Sequence, residues 1–356
     1  DDKQVMQDKQ QIKQENLTID EKVDQIVASM SQTEKLGQMV MIGIQGTKVD
    51  DDSLYMLNQY HMGGVILFDR NMESLEQVKQ LTSDLQAQSN EKVPLFIGID
   101  EEGGDVVRMA EKLTPAPSQK EIGATGDIEQ AKTWAIKTAK SLKDMGINVN
   151  FAPVADVGSN DKRSYSTDAN TVIDFVRAAT KGYQQENIIY SLKHFPGIGK
   201  GKVDSHIDSS SIDVAKEVLM TEDILPFKTI IDESDPNDYF ILVSHLKYLA
   251  LDEEYPASLS SKIMTDLLRN KLGYKGIIIT DDMEMGAVAN HNDFRSIGVN
   301  AVKAGADIVL VCHEYKHQQE VYLGLLDAVN SGEISQERID ESVKRIIKVK
   351  LLHLYQ

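Results

Sequence analysis

Short, strongly apolar runs alternate along the chain with longer stretches in which apolar residues recur at helical spacing. The apolar runs are 38–45, 63–68, 94–100, 148–155, 188–194, 239–245, 276–281 and 307–312. Most of them are almost continuously apolar and rich in β-branched residues, which is typical of strands buried on both faces of a parallel sheet. Strands that alternate with helices in this way predict repeated βα units.

The stretches between these runs carry the signals of helices. Ser31 and Glu34 form a capping-box pattern before the first strand, and Ser260 or Ser261 can cap a helix that stops near Gly273. Two apolar stripes predict the core faces of two further helices: Leu75, Val78, Leu81 and Leu85, and Ile339, Val343, Ile346 and Ile347.

Eight strands in one uninterrupted βα alternation favour a single closed barrel over two open sheets. No Pro-, Gly- or Ser-rich linker divides the chain, and no other repeat is visible. We therefore predict an α/β fold, a single (β/α)8 TIM-type barrel with an N-terminal helical lead-in. Residues 1–17 are predicted to be a flexible polar segment, and residues 18–356 to form the barrel domain.

Composition and charge restrict the class of partner. Apolar residues make up 41% of the chain and charged residues 26%, as in ordinary globular proteins. A net charge of −18 argues against nucleic acid or an anionic membrane surface as the main partner. No apolar run has the roughly 18 residues that crossing a bilayer needs. Cys312 is the only cysteine, which excludes an internal disulfide or cysteine-based zinc site, and its apolar run predicts a buried, unreactive thiol.

Polar side chains directly follow several predicted strands. Strand three ends in Asp100, strand five in Lys193-His194, strand six in Ser244-His245 and strand seven in Asp281-Asp282. In a barrel of this type, functional residues lie at the carboxyl ends of the strands. We therefore expect these side chains to meet at one mouth of the barrel.

Residues 193–208 are the most informative stretch. Lys193 and His194 can donate hydrogen bonds to oxygen atoms, and a Gly- and Lys-rich loop then leads to Asp204-Ser205-His206. A carboxylate two residues before an imidazole can orient the ring and hold a proton on it. This order of donors, loop and acid–base pair predicts catalytic machinery.

The carboxylate of Asp281 admits three interpretations from its position alone. It can attack the anomeric carbon of a sugar, ligate a metal ion or cap the next helix, although Asp282 is one residue closer to that helix. Asp100 together with Arg108 and Arg163 suits a polyhydroxylated ligand, because each sugar hydroxyl both donates and accepts hydrogen bonds. Solvated salt bridges are the alternative for each arginine taken alone.

A metal-dependent barrel hydrolase is a rival interpretation of the histidines. His194, His206, His245 and His313 could converge on a metal ion. However, strand one supplies no His-x-His pair, and no His-Glu-x-x-His motif is present. These absences argue against metal-dependent catalysis.

Together these residues resemble glycoside hydrolase family 3, specifically its single-domain β-N-acetylglucosaminidases. The resemblance covers about residues 31 to 350. Its landmarks are Ile99-Asp100-Glu101-Glu102-Gly103-Gly104 with Arg108, Asn150-Phe151-Ala152-Pro153-Val154, Arg163-Ser164-Tyr165, the stretch 193–206, and Thr280-Asp281-Asp282-Met283-Glu284-Met285.

The resemblance implies a role for each matching residue. Asp281 matches the nucleophile of the family, His206 its general acid/base and Asp204 the partner that orients this histidine. The residues that match binders of N-acetylglucosamine in the cleaved subsite are Asp100, Arg108, Arg163, Lys193 and His194. The resemblance also implies the reaction, a retaining double displacement through a glycosyl-enzyme intermediate, without metal or organic cofactor.

Three positions depart from the pattern of the family. Ile198 stands where the family usually has a second histidine, so we expect changed leaving-group contacts with unchanged chemistry. Glu101 stands where glutamine is more common, and with Asp105 it adds negative charge near the site. The loop over 157–162 is short, which alters the setting of the arginine that follows it.

We therefore expect an exo-acting β-N-acetylhexosaminidase that removes terminal N-acetylglucosamine from a carbohydrate substrate, such as a peptidoglycan fragment. The alternatives are a family 3 β-glucosidase or β-xylosidase, a phosphorylase variant, and a barrel that binds wall fragments without catalysis. The polar start of the chain fits an exported protein at a bacterial cell envelope, with a lipid-anchored tail as one form of attachment and a cytoplasmic location as the alternative. Separately, we expect a monomer.

Overall fold

The structure, a computed structural model, describes residues 1–89, 93–108, 113–158, 162–201 and 211–355. Eight strands organise the domain, and each overlaps one of the eight predicted apolar runs. They are β1 Val40–Gly43, β2 Gly64–Leu67, β3 Phe96–Ile99, β4 Val149–Asn150, β5 Tyr190–Phe195, β6 Tyr239–Val243, β7 Ile277–Thr280 and β8 Val309–Val311. Every residue of these strands is buried, as strands covered by helices on one side and filling a barrel on the other should be.

The strands are parallel and follow sequence order around the domain. One sheet has the order β8-β1-β2-β3-β4 and the other the order β5-β6-β7. Parallel bridges from Val149 to Ile189 and from Ile279 to Ile308 join the edges of the two sheets. The eight strands therefore form a ring, and the predicted (β/α)8 arrangement is confirmed.

Helices surround this ring. The α-helices of the described residues are α1 Asp2–Glu15, α2 Ile19–Ala28, α3 Gln32–Gln38, α4 Asp51–Tyr60, α5 Leu75–Ala87, α6 Gln119–Ala124, α7 Ile128–Asp144, α8 Ala169–Gln185, α9 Lys216–Val218, α10 Leu225–Glu233, α11 Gly286–Ala289, α12 Phe294–Ala304, α13 Tyr315–Asn330 and α14 Gln336–His353. Two π-helical segments, Leu219–Asp223 and Lys262–Lys271, and three 3₁₀ turns, Asp69–Asn71, Pro236–Asp238 and Ala257–Leu259, complete the helical structure. The strands Ser211–Ile212 and Lys247–Tyr248 pair outside the barrel.

The predicted helix signals act largely as expected. The Ser31 hydroxyl accepts the N–H of Glu34, whose carboxylate accepts the N–H of Ser31, so the capping box of α3 is confirmed. The Ser260 hydroxyl accepts the N–H of Ile263 at the start of the 262–271 helix. The apolar stripes of α5 and α14 are buried, except for Leu75, which is 40% exposed at the first turn of α5.

The N-terminal lead-in is helical, as predicted. Helix α1 is exposed along its length, whereas α2 buries Val23 and Val27 and packs on α14. The flexibility expected of residues 1–17 stays a prediction. Among the described residues, no helix combines the length and the apolar character that crossing a bilayer requires.

Candidate active site

The polar side chains that follow the strands gather at the carboxyl-terminal mouth of the barrel. Asp100 and Glu102 follow β3, Lys193 and His194 lie near the end of β5, and Asp281 follows β7. Lys193 and His194 are consecutive in β5, yet both can reach the site because the pairing register with β6 shifts between Lys193 and Phe195. The five sugar-binding residues predicted from the sequence are thereby linked in one network of contacts.

Lys193 lies at the centre of this network. Its side chain is 2% exposed, and its Nζ lies 3.0 Å from Asp100 Oδ1 and 2.6 Å from Glu102 Oε2. Burial lowers the pKa of the ammonium group, but the two carboxylates outweigh it and raise that pKa above its ordinary value. Lys193 is therefore a fixed, fully charged donor on the floor of the site.

Glu102 joins Lys193 to Arg163. Arg163 donates from Nε to Glu102 Oε1 at 2.9 Å and from a terminal nitrogen to Oε2 at 2.7 Å, which is the bidentate arrangement of a guanidinium on a carboxylate. Burial opposes ionisation of Glu102, yet Lys193 and Arg163 hold its pKa well below its usual range. Because Glu102 stays ionised, it holds the two cationic donors, Lys193 and Arg163, in fixed positions in the site.

Arg108 faces Asp100 from the loop after β3. Its guanidinium lies 3.4 Å from Asp100 Oδ2 and stands over the ring of Phe68 with 5.2 Å to the ring centre. Asp100 thus has a cation on each oxygen, Lys193 on one and Arg108 on the other. A carboxylate held in this way is a rigid acceptor for sugar hydroxyls.

His194 is oriented by Asp156, a residue that follows β4. Asp156 Oδ2 lies 2.8 Å from the imidazole Nδ1, and Oδ1 accepts the backbone N–H groups of His194 and Ile198. The carboxylate can accept a hydrogen bond from the Nδ1–H group whether the ring is neutral or charged. The other ring nitrogen, Nε2, then points to Arg163, 3.3 Å away.

Asp281 lies immediately after β7, and its Oδ1 accepts the backbone N–H of Asp282 at 2.9 Å. Burial opposes ionisation, but His194, His245 and Lys193 together with that N–H hold the pKa of Asp281 below its ordinary value. His245 is itself fixed, since its ring nitrogens contact the Ser258 hydroxyl and the carbonyl of Asp282. Asp281 is therefore an ionised carboxylate at the mouth of the barrel, as a nucleophile must be.

The suggestion that Asp282 caps the next helix is wrong. Helix α11 begins only at Gly286, and Asp282 Oδ1 instead accepts the N–H groups of Glu284 and Cys312. Burial and the charge of Glu284 raise the pKa of Asp282 to about 7. The residue ties the loop after β7 to the end of β8, where Cys312 is buried as predicted.

One group among the described residues has the composition of a metal site: Glu284, Glu314 and His317. The carboxylate of Glu284 already has hydrogen-bond partners. It accepts the N–H groups of His313 and Glu314 and faces His317 Nδ1 at 2.7 Å. This network closes the start of α13. Two histidines of the rival metal hypothesis have other contacts: His194 is hydrogen-bonded to Asp156, and His245 to Ser258.

The predicted acid–base pair, Asp204 and His206, lies outside the described residues. The chain that leads to it is anchored, however. Lys200 Nζ lies 2.6 Å from the buried Asp223 Oδ2, and the Tyr248 hydroxyl donates to the carbonyl of Gly197 at 2.7 Å. A Cβ on Gly199 would lie 1.8 Å from the carbonyl oxygen of Val157, so only glycine allows this close approach.

A cavity of about 240 Å³ adjoins the network between the loops after β3 and β4. Glu102, Asp105, Ser118, Lys162 and Arg163 are among its lining residues. It gives the site open volume beside the Arg163–Glu102 pair. Together, fixed cations, fixed carboxylates and an ionised Asp281 can bind a polyol and attack an electrophilic carbon.

Glu102 and Asp156 are the two members of this network to which the sequence argument gave no role. Glu102 belongs to the motif after strand three and binds both Lys193 and Arg163. Asp156 directly follows the apolar stretch 148–155, which is the same signal that singled out Asp100 and Asp281. Applying that signal to strand four would have found it.

The comparisons with known proteins agree on one family. The model of the glycosyl hydrolase family 3 N-terminal domain matches residues 31–349. The chain is 35% identical over 326 residues to a β-hexosaminidase A of Pseudoalteromonas piscicida, with 83% of this chain and 54% of that protein covered. It is 30% identical over 318 residues to a β-hexosaminidase of Nitrosomonas eutropha, with 85% and 90% covered. The chain thus spans about half the length of the first relative and most of the second.

Solved structures show the same likeness. A family 3 β-N-acetylglucosaminidase from a Paenibacillus species superposes with a TM-score of 0.87 at 37% identity, covering 91% of this chain and 62% of that one. A glycosyl hydrolase of the family from Mycobacterium smegmatis superposes with a TM-score of 0.82 at 28% identity, covering 91% and 98%. The second match shows that a chain of about this extent forms the fold.

Proposed function

The chain belongs to glycosyl hydrolase family 3, and on this basis we propose that it is a retaining exo-β-N-acetylglucosaminidase. Asp281 is the nucleophile, His206 the general acid/base and Asp204 the residue that orients this histidine. The substrate is a glycan with terminal β-linked N-acetylglucosamine, as in peptidoglycan fragments. A location at the bacterial cell envelope belongs to the same proposal.

One observation carries the proposal: an ionised, half-buried Asp281 faces the same mouth as the Lys193, Asp100 and Arg163 network. A retaining glycosidase needs a charged nucleophile on one side of the scissile bond and fixed donors that hold the sugar ring. The names of the relatives, which are β-hexosaminidases and β-N-acetylglucosaminidases, support an acetylated amino sugar as the bound unit.

The reaction proceeds in two steps. Asp281 attacks the anomeric carbon while His206 protonates the leaving oxygen, and water activated by the same imidazole then releases the sugar with retained configuration. A histidine, with an ordinary pKa of about 6.5, can exchange this proton near neutral pH. Because its neutral form carries no charge, it does not repel an anionic acceptor such as phosphate.

The test is release of 4-nitrophenol from the N-acetyl-β-glucosaminide by the wild type and by Asp281→Ala. We expect turnover by the wild type, loss of it in Asp281→Ala, and full activity in Asp266→Ala, which alters an exposed aspartate on a distant helix. Turnover that survives in Asp281→Ala would contradict the assignment. Mass spectrometry after inactivation with a 5-fluoro glycosyl fluoride should place the label on the peptide that contains Asp281.

The same assay separates the alternatives. Faster hydrolysis of the 4-nitrophenyl β-glucoside or β-xyloside would favour a β-glucosidase or β-xylosidase. N-acetylglucosamine 1-phosphate as the main product in phosphate buffer would identify a phosphorylase. Binding of N-acetylglucosamine without any turnover would identify a non-catalytic binding barrel.

A further inference from the structure

Glu101 is a buried carboxylate beside this site to which neither the proposed reaction nor the network described above gives a part. It follows β3, is 6% exposed and lies between Asp100 and Glu102 in the chain. Its backbone is clamped by Asn150 of β4, whose side chain accepts the Glu101 N–H and donates to the Glu101 carbonyl, both at 3.0 Å. The position of the Glu101 side chain is therefore set by the barrel itself.

The Glu101 carboxylate reaches across the following loop to Arg108. Its Oε2 accepts the backbone N–H of Arg108 at 3.0 Å. Between the two residues the chain turns back on itself, because the carbonyl of Val106 accepts the N–H groups of Glu102 and Gly103. The Glu101–Arg108 bond closes this loop at the residue whose guanidinium faces Asp100 in the sugar site.

We propose that Glu101 is a positioning residue whose ionised carboxylate fixes the backbone of Arg108 and so holds the Arg108 guanidinium in place for the sugar. The inference rests on the proposed function, since it concerns binding in the same subsite. It assigns a purpose to the acidic residue at this position of the strand-three motif.

The surroundings of Glu101 make this bond sensitive to pH. Burial raises the pKa of Glu101 to about 7; the N–H and guanidinium of Arg108 lower it, whereas the charges of Asp69 and Asp100 raise it. From α8, Tyr183 also faces this carboxyl group. The charged form predominates above neutral pH, and a carboxylate is a stronger acceptor than a carboxylic acid. Sugar binding should therefore tighten as pH rises through 7.

Glu101→Gln separates charge from shape. The amide oxygen can still accept the Arg108 N–H, but the side chain no longer titrates. Glu129→Gln is the matched control, because Glu129 is exposed at the start of α7. Asp69→Asn is a second variant, since removal of that negative charge should shift the ionisation of Glu101, and with it the pH dependence, to lower pH.

The experiment is calorimetric binding of N-acetylglucosamine by each protein from pH 6 to pH 8. We expect the wild type and Glu129→Gln to bind about fivefold more tightly at pH 8 than at pH 6, the margin of a charge-assisted over a neutral hydrogen bond. Glu101→Gln should lose most of this dependence while it still binds the sugar. The midpoint of the dependence should fall in Asp69→Asn.

Two outcomes would overturn the inference, and they are distinguishable. If the wild type and Glu101→Gln bind the sugar with the same pH dependence, Glu101 does not position Arg108 through its charge, whereas the proposed function stands. If no protein binds N-acetylglucosamine and the aryl glycoside is not turned over, both the inference and the proposed function are wrong.

Discussion

His194 Nδ1 lies 2.8 Å from Asp156 Oδ2, and the second oxygen of the same carboxylate accepts the N–H groups of His194 and Ile198. Asp156 is 1% exposed, so these bonds form away from bulk solvent. One side chain after β4 thereby fixes both the imidazole at the end of β5 and the start of the chain that leads to His206. An amide cannot replace it, because one half of an amide donates where both halves of Asp156 accept.

We therefore expect Asp156→Asn to lower kcat/KM for the aryl N-acetylglucosaminide by at least about tenfold, which corresponds to roughly 1.4 kcal/mol. Steady-state kinetics measure the effect, and circular dichroism checks that the barrel remains folded. Asp266→Asn, an exposed aspartate changed in the same way, is the control. Equal kinetics for Asp156→Asn and the wild type would show that His194 needs no fixed partner.

Much of this site could be predicted from the sequence, because a residue that directly follows an apolar strand lies at the carboxyl-terminal mouth of a barrel. Asp100, Lys193, His194 and Asp281 were identified on that ground, and the structure gathers them at one mouth. The same reasoning explains why all eight strands were found, since near-continuous apolar runs leave little ambiguity about burial.

The contacts between these residues could not be predicted in the same way. Glu102 binds Lys193 and Arg163, which are distant in sequence, and only the pairing of β4 with β3 on one side and with β5 on the other brings the ends of these strands close together. The helix-cap prediction for Asp282 failed for a local reason. Three further residues precede α11, and the end of β8 offers the N–H of Cys312 to the same carboxylate.

Lys193→Met should destabilise the barrel as well as the sugar site. The substitution leaves Glu102 with Arg163 alone and removes one cation from Asp100, so a buried and a half-buried carboxylate each lose a partner. We expect the free energy of unfolding in urea to fall by about 3 kcal/mol. Lys228→Met is the control, because Lys228 pairs with Asp232 on the exposed side of α10.

The pH dependence of this destabilisation has a definite sign. In the wild type the pKa of Glu102 is held well below its usual range, so its contribution to stability is present above the unfolded value of about 4.3. That contribution is lost as pH falls through the lower folded value. In Lys193→Met the folded pKa of Glu102 moves closer to the unfolded value, so the loss should be smaller and should be complete at higher pH. Parallel acid-unfolding curves for the two proteins would contradict this explanation.

Lys200→Ala should lower turnover by loosening the start of the chain that carries His206. The substitution removes the cation at 2.6 Å from Asp223, a buried carboxylate whose Oδ1 has no hydrogen-bond partner among the described residues. Burial raises the pKa of Asp223 even with Lys200 in place, so this carboxylate depends on the lysine. We expect a loss of about tenfold in kcat/KM.

A double-mutant cycle tests this anchor. Lys200 also pairs with the exposed Glu222, but in Lys200→Ala/Asp223→Asn no unpaired buried charge remains, so the double variant should be more active than the sum of the two single losses implies. Lys216→Ala, which removes an exposed lysine on α9, should behave like the wild type. Strictly additive losses would show that the ion pair does not act as a unit.

The buried Lys350, at the opposite end of the barrel, leads to a prediction about how the stability of the protein depends on pH. Its Nζ is buried and donates to Gln38 Oε1 and to the carbonyl of Gly63, both at 2.7 Å, and lies 4.7 Å from the ring centre of Phe96. Burial lowers the pKa of this lysine well below its ordinary value. The unfolded chain therefore binds one more proton than the native state at every pH between the folded pKa and about 10.4.

Because the unfolded state binds the extra proton, stability should rise with pH through this window, by up to about 1.4 kcal/mol per pH unit from this group alone. Lys350→Met removes the titrating group, so its free energy of unfolding between pH 8 and pH 10 should rise less steeply than that of the wild type. Urea unfolding at several pH values measures both slopes, and Lys316→Met, which alters an exposed lysine of α13, is the control. Identical slopes in Lys350→Met and the wild type would mean that Lys350 keeps its proton in the native barrel, with the two oxygens and the ring of Phe96 sufficient to stabilise the charge.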